Sequence, residues 1–301
     1  MEQVTLLVQQ LLKMFVYMCV GFLLVRGGVL KKGESRVPAQ MLLYVFLPCT
    51  IVNSFYTGDR SRGAGPLMTS ILLGAAALIV AMAISALLFR KRPIDNFSGA
   101  FSNAGFMGIP LIGMILGAPY VIYIAGMVAM LNALQWTYGQ MILSGEKRVS
   151  TRALLTNPMI VAFALGLIVF FLPVRLPDIA ETCLGGMAAC NTPLAMIVLG
   201  LYLGESDLRR VFSDQRVYLT CAVRLLLVPI VTVLVLKLIP AEYELRTAII
   251  LAACAPVGSN VAIYAQKLKL DHAYAVGLVC ASTVLSIVTI PAVIYVAGLI
   301  G

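Results

Sequence analysis

The chain has 301 residues, 61% of them hydrophobic and only 12% charged, with a mean hydropathy of +0.98. Soluble domains carry about a quarter charged residues, so this composition excludes a soluble globular domain and points to a polytopic membrane protein. The net charge of +9 does not indicate nucleic acid, because the basic residues sit in short loops between apolar spans.

Taken in chain order, the hydropathy predicts ten spans. The first, residues 5–25, has no convincing small-residue cleavage site and is expected to stay as a spanning helix. Span 2 covers 37–57. Span 3, 65–89, contains no charge, a run long enough for the roughly 30 Å hydrocarbon core. Span 4, 96–116, is interrupted by SNAGFMGIP at 102–110. There Asn103 wants hydrogen bonds that lipid cannot supply, Gly105 and Gly108 loosen the helix, and Pro110 removes a backbone donor.

Span 5, 119–142, carries Asn132 and Gln135. Asn132, halfway along, is the expected ligand contact, and Gln135 is expected in helix–helix hydrogen bonding. Span 6 covers 154–173. Span 7, 180–203, places Asn191 and Thr192 before Pro193, a secondary candidate group. Span 8, 216–239, contains Arg224, either a snorkelling side chain or a cationic partner for a passing anion. Span 9, 246–266, is interrupted by APVGSN at 255–260, so Pro256, Gly258, Ser259 and Asn260 join the candidate site. Span 10 covers 273–299. Asn53 reads as structural, near a membrane surface, and His272 as a surface residue. The seven cysteines have no metal-like spacing and read as packing residues; no cofactor is expected.

Lys and Arg set the orientation. Arg26, Lys31, Lys32, Arg36, Arg90, Lys91, Arg92, Lys147, Arg148, Arg152, Arg209, Arg210, Arg216, Lys267 and Lys269 fall in the odd-numbered loops. The opposite side holds Lys13, Arg60, Arg62, Arg175, Lys237 and Arg246. The odd loops are therefore expected in the cytoplasm of a bacterial inner membrane, with both termini outside. The halves, 1–145 and 146–301, each hold five spans. Gly21 and Pro48 recur as Gly166 and Pro193, and Pro110 as Pro256. Five being odd, the second half inserts upside down, as in many secondary transporters.

Paired Gly/Pro-broken spans mark the central site of such carriers. Irregular backbone at membrane depth is tolerated only where it is buried in protein or lines a wet cavity. All thirteen acidic residues fall in loops or at span edges, so no carboxylate is expected at depth to carry a cation. Amides and half-helix amino-termini remain there, and these suit an organic anion. The expected function is a secondary transporter of a small organic acid. The alternative is a membrane receptor that binds the acid without moving it. An intramembrane enzyme would need a nucleophile, base or metal at depth, and the sequence offers neither His nor carboxylate there.

Several stretches carry a family resemblance: LPCTIVNSF (47–55), SNAGFMGIPLIGMILG (102–117), NPMIVAFALGLIV (157–169), TPLAMIVLGLYLG (192–204), ACAPVGSNVAIYAQKLKL (253–270) and STVLSIVTIPAVIY (282–295). Spread over nearly the full length, they resemble the auxin efflux carrier family, which includes the plant PIN-formed exporters. The resemblance implies a ten-helix fold like those of bile-acid symporters and sodium/proton antiporters. Spans 1, 2, 6 and 7 would form a scaffold, and spans 3–5 and 8–10 a transport domain moving as an elevator. Spans 4 and 9 would break and cross at Pro110 and Pro256. The resemblance also carries substrate contact onto Asn103 and onto Asn132, ahead of Trp136. The long cytoplasmic loop of plant members is missing, as is the acid that some carry in span 3. Bacterial relatives are linked to malate, malonate and other organic acids as well as auxin-like compounds. The expected partners are such an acid, the lipid bilayer and a second copy of the chain in a homodimer.

Overall fold

The structure, a computed structural model, describes residues 2–31, 33–58, 64–145, 155–172, 175–207 and 213–300. Lys32, Asp59, Arg60, Arg62, Glu146, Lys147, Arg148, Arg152, Arg209, Arg210 and Gly301 lie outside the described residues.

Every predicted span contains helix. The elements are α1 (Glu2–Arg26), α2 (Arg36–Thr57), α3 (Gly65–Leu88), α4a (Pro93–Ala100), α4b (Ala104–Ile115), α5 (Ala118–Ser144), α6 (Pro158–Phe171), α7 (Asp178–Glu205), α8 (Gln215–Lys237), α9a (Tyr243–Cys254), α9b (Asn260–Lys267) and α10 (His272–Ile300). Among the described residues, six of these are long and apolar enough to cross a membrane. The chain is an integral membrane protein.

The helix ends follow local chemistry. Asn157 and Asp214 cap α6 and α8 by accepting from the backbone N–H groups of Met159 and Arg216, both at 2.9 Å. Prolines stand in the first turn of α3, α4a and α6, where a missing N–H costs nothing. Three further prolines sit farther in and leave a common mark. Widened π turns at Leu42–Phe46, Ala104–Gly108 and Val223–Leu227 each end two residues before a proline, at Pro48, Pro110 and Pro229. The ring excludes the carbonyl four residues back and offers it no N–H, so the preceding turn widens.

Small residues set the closest helix pairs, as expected where lipid provides no hydrophobic drive between helices. α1 lies against α7 so tightly that a Cβ on Gly21 would collide with the Ile197 carbonyl, and one on Gly200 with the Met18 carbonyl. A Cβ on Gly166 of α6 would collide with the Phe55 ring of α2. The two glycines matched by sequence, Gly21 and Gly166, thus each seat the first span of one half on the second span of the other.

Cys221, Cys254 and Cys280 are buried, as expected of packing residues, while Cys19, Cys183 and Cys190 are exposed on α1 and α7. All seven are free thiols.

Candidate functional site: a helix crossing beneath a cavity

The two broken spans meet. Ser102 and Val257 form an antiparallel bridge. The Asn103 N–H donates to the Pro256 carbonyl at 2.7 Å, and the Gly258 N–H to the Phe101 carbonyl at 2.9 Å. The Val257 N–H donates to Ser282 Oγ of α10 at 3.1 Å. Buried backbone that has left the helix must be paired, and each break supplies the other's partners. Gly258 permits the approach, since a Cβ there would stand 3.1 Å from the carbonyls of both Phe101 and Ser102.

This corrects the expected crossover. Pro256 lies in its break, but Pro110 does not. The α4 break is the extended Phe101 (φ −114°, ψ 114°) through Asn103, and Pro110 sits seven residues on, within α4b. A proline distorts the turn before it, so Pro110 accounts for the π turn at Ala104–Gly108 while the Pro256 and Val257 pairing holds the break open. Within the bridge, Pro256 and Phe101 are the two acceptors, and Asn103 and Gly258 the two donors. Gly105 faces α2 instead, where a Cβ would be 3.3 Å from Leu47 Cδ2.

Asn103 is 5% exposed, and its side chain does not cap α4b. Its Nδ2 has no hydrogen-bond partner. A buried donor left unpaired costs about 1–3 kcal/mol, so this amide calls for a partner from outside the fold. Ser259, in the second break, is also buried. Asn260 opens α9b and donates through Nδ2 to Gln135 Oε1 of α5 at 2.5 Å. The helix–helix role expected of Gln135 therefore reaches a site residue, at the start of a fourth π turn, Gln135–Gly139, that no proline explains. Asn132 is buried, but its Nδ2 donates to the Val128 carbonyl of its own helix at 2.9 Å. That leaves its second N–H and its oxygen for a ligand. Asn191 on α7 is 1% exposed, with both amide atoms unpartnered. Pro193 lies inside unbroken helix and Thr192 is half-buried beside it, so this group makes no break of its own. α7 does pack against the π turn of α4b.

A cavity of about 1010 Å³ leads to this level. At one end it is lined by residues of the 27–35, 206–214 and 268–271 connections and the helix ends beside them, including Arg36, Glu205, Arg216 and Lys267. At the other it reaches Phe106 and Asn260. Glu205 accepts from the backbone N–H groups of Gly33 and Ser35, at 3.1 and 3.3 Å, and so ties two of the connections. Three odd-numbered loops thus gather on one face, as an alternating series of spans requires. His272 lines the cavity, its Nδ1 3.0 Å from the Ala262 carbonyl.

Two charged side chains are buried among the described residues, Asp95 and Arg224. Arg224 is 1% exposed, so it does not snorkel. Its guanidinium donates to the carbonyls of Gly99 at 3.1 Å, Ala255 at 3.3 Å and Ala253. Asp95, in the first turn of α4a, is at the predicted span edge yet 4% exposed. Its Oδ1 accepts from Thr220 Oγ1 at 2.8 Å and from the Tyr274 hydroxyl at 2.5 Å. The pairs Asp95–Thr220 and Gly99–Arg224 show that α4a and α8 run side by side in the same direction. Sequence reasoning missed Asp95, Thr220 and Tyr274. The signal available was an acid inside DNFSGAFSN, a run whose polar residues are otherwise buried.

Both halves of the chain match membrane-transport families. Residues 6–150 match the family described as "Membrane transport protein", and residues 190–298 match the "Sodium Bile acid symporter family". The chain is 26% identical over 294 residues to an "Uncharacterized transporter" of Methanothermobacter thermautotrophicus, covering 94% of this chain and 96% of that one. It is 24% identical over 248 residues to a "Putative malonate transporter" of Rhizobium meliloti, covering 76% of each. Fold and comparisons together make the chain a membrane transporter.

Proposed function

We propose that the chain is a secondary carrier of a small organic acid anion, bound at the α4–α9 crossing. The observation that carries this reading is the buried Asn103 amide, whose Nδ2 is unpaired where two half-helices, α4b and α9b, begin. Helix amino-termini present free N–H groups and partial positive charge, so a carboxylate is the group that completes the hydrogen bonding. The relative named for malonate supports a small carboxylate; an auxin-like acid fits the same chemistry.

The architecture proposed with it is a 5+5 inverted repeat. The exchange of first and second spans through Gly21 and Gly166, and the antiparallel meeting of Ser102 with Val257, support that relation. α1, α2, α6 and α7 would form the scaffold, and α3–α5 with α8–α10 the moving body. The cavity lies between them, lined by Ala39 and Tyr202 on one wall and Asn260 and Gly277 on the other. An elevator motion would carry the crossing past α2 and α7. With the odd loops cytoplasmic, the cavity opens inward and the carrier is poised for export. A cytoplasm-active reporter fused at Gly301 should then be silent, and a strong signal there reverses the assignment.

The reading is tested by thermal shift of the detergent-purified protein against carboxylic acids and their neutral amides. Malonate or another small carboxylate should raise the unfolding temperature while the amides do not. Equal shifts by acids and amides would remove the anion from the reading.

A further inference from the structure

We propose that Arg224 sets the charge selectivity of the crossing, a role that rests on the anion-binding reading above. Four helix ends meet there. α4a and α9a end at the crossing, with partial negative charge on their last carbonyls, while α4b and α9b begin there with partial positive charge on their first N–H groups. Left alone, the two signs offset and the crossing favours neither anion nor cation.

Arg224 breaks that balance. It donates to Gly99 at the end of α4a and to Ala253 and Ala255 at the end of α9a. One guanidinium therefore satisfies the carboxyl-terminal ends of both half-helices, a task for its planar fork of donors rather than for a point charge. The far ends are also matched in sign. Asp95 stands in the first turn of α4a, and Glu244 in that of α9a. No comparable side-chain cap serves the start of α4b, because Asn103 occupies the N-cap position without making the cap bond. The negative ends are covered and a positive end is left open, beside an amide donor with no partner. Arg224 is a positioning residue: it touches backbone carbonyls, and it acts on the ligand through the field it leaves.

The consequence concerns ligand charge. The binding advantage of a dianion over a monoanion of the same shape should depend on Arg224, whereas a merely structural role would weaken both alike. The probes are malonate and its half-amide malonamate, titrated by calorimetry against purified wild-type protein and the R224Q and R224K variants. In R224Q the malonate-to-malonamate affinity ratio should fall about tenfold, the scale for removing one unit charge roughly 10 Å away at an effective dielectric near 20. In R224K, which keeps the charge, the ratio should stay within about threefold of wild type. An unchanged ratio in R224Q overturns the proposal, as does a collapsed ratio in R224K, and the latter decides the matter if R224Q does not fold. Absence of binding by either probe to wild-type protein would instead overturn the underlying reading of the site.

Discussion

The Asn103 N–H donates to the Pro256 carbonyl at 2.7 Å, so the residue proposed to bind substrate is held by the break of the other half of the chain. Its backbone is spent on the crossing, and its side-chain Nδ2 is left buried and unpaired. The division lets one residue be fixed in place and still available to a ligand.

Removing that amide should cost a hydrogen bond to a charged group, about 1.5–3 kcal/mol, or roughly ten- to hundredfold in affinity. Asn103→Ala should weaken malonate binding by that factor with expression unchanged. Asn53→Ala, half-buried toward the end of α2, is the control and should bind as wild type. Equal affinities for the two variants would displace the site from the crossing.

Pro110→Ala restores an N–H within reach of the Phe106 carbonyl, and the π turn at Ala104–Gly108 should relax to α-helix. The break itself is held by the Asn103–Pro256 and Gly258–Phe101 bonds, so it should persist. Malonate affinity is expected to stay within about threefold of wild type. A loss as large as that of Asn103→Ala would return Pro110 to the crossing.

Gly258→Ala pushes a methyl group against two carbonyls at 3.1 Å. Overpacking of this kind costs about 1–3 kcal/mol, and the unfolding temperature in detergent should drop by several degrees. Gly185→Ala on α7, with nothing near its Cβ position, should leave it equal or slightly raised. Indifference to Gly258→Ala would mean that the two breaks do not approach as described.

An anion moving alone carries charge, and the membrane potential is worth about 2.3 kcal/mol per elementary charge per 100 mV. The buried Asp95 side chain, already accepting from Thr220 and Tyr274, stands in the first turn of α4a rather than at the crossing. Flux of malonate in proteoliposomes should therefore follow an imposed potassium/valinomycin potential, reverse with it, and need no sodium. Flux that ignores the potential and stops without sodium or a proton gradient would place a coupling ion in the cycle.

Spans and their interruptions were legible in the sequence because lipid demands long apolar runs and punishes unpaired backbone. A residue such as Asn103 stands out for the same reason. What pairs with what was not legible. Gly–Pro spacing matched Pro110 with Pro256, but the bridge pairs Pro256 with Asn103, since backbone pairing follows the residues that have left the helix and not the prolines beside them. Arg224 read as a snorkelling cation or an anion partner because its three carbonyl acceptors lie 29 to 125 residues away in the chain. Asp95 read as an edge residue because the hydroxyls that bury it come from α8 and α10.

The central claim, that the crossing carries an organic anion across the membrane, is tested most directly by counterflow. Proteoliposomes loaded with unlabelled malonate are diluted into labelled malonate, with wild-type protein and Asn103→Ala side by side. The account predicts transient accumulation of label with wild-type protein and at least tenfold less with Asn103→Ala at the same sub-saturating malonate concentration. Saturable malonate binding by wild-type protein without any exchange of label would contradict it and leave a receptor in place of a carrier.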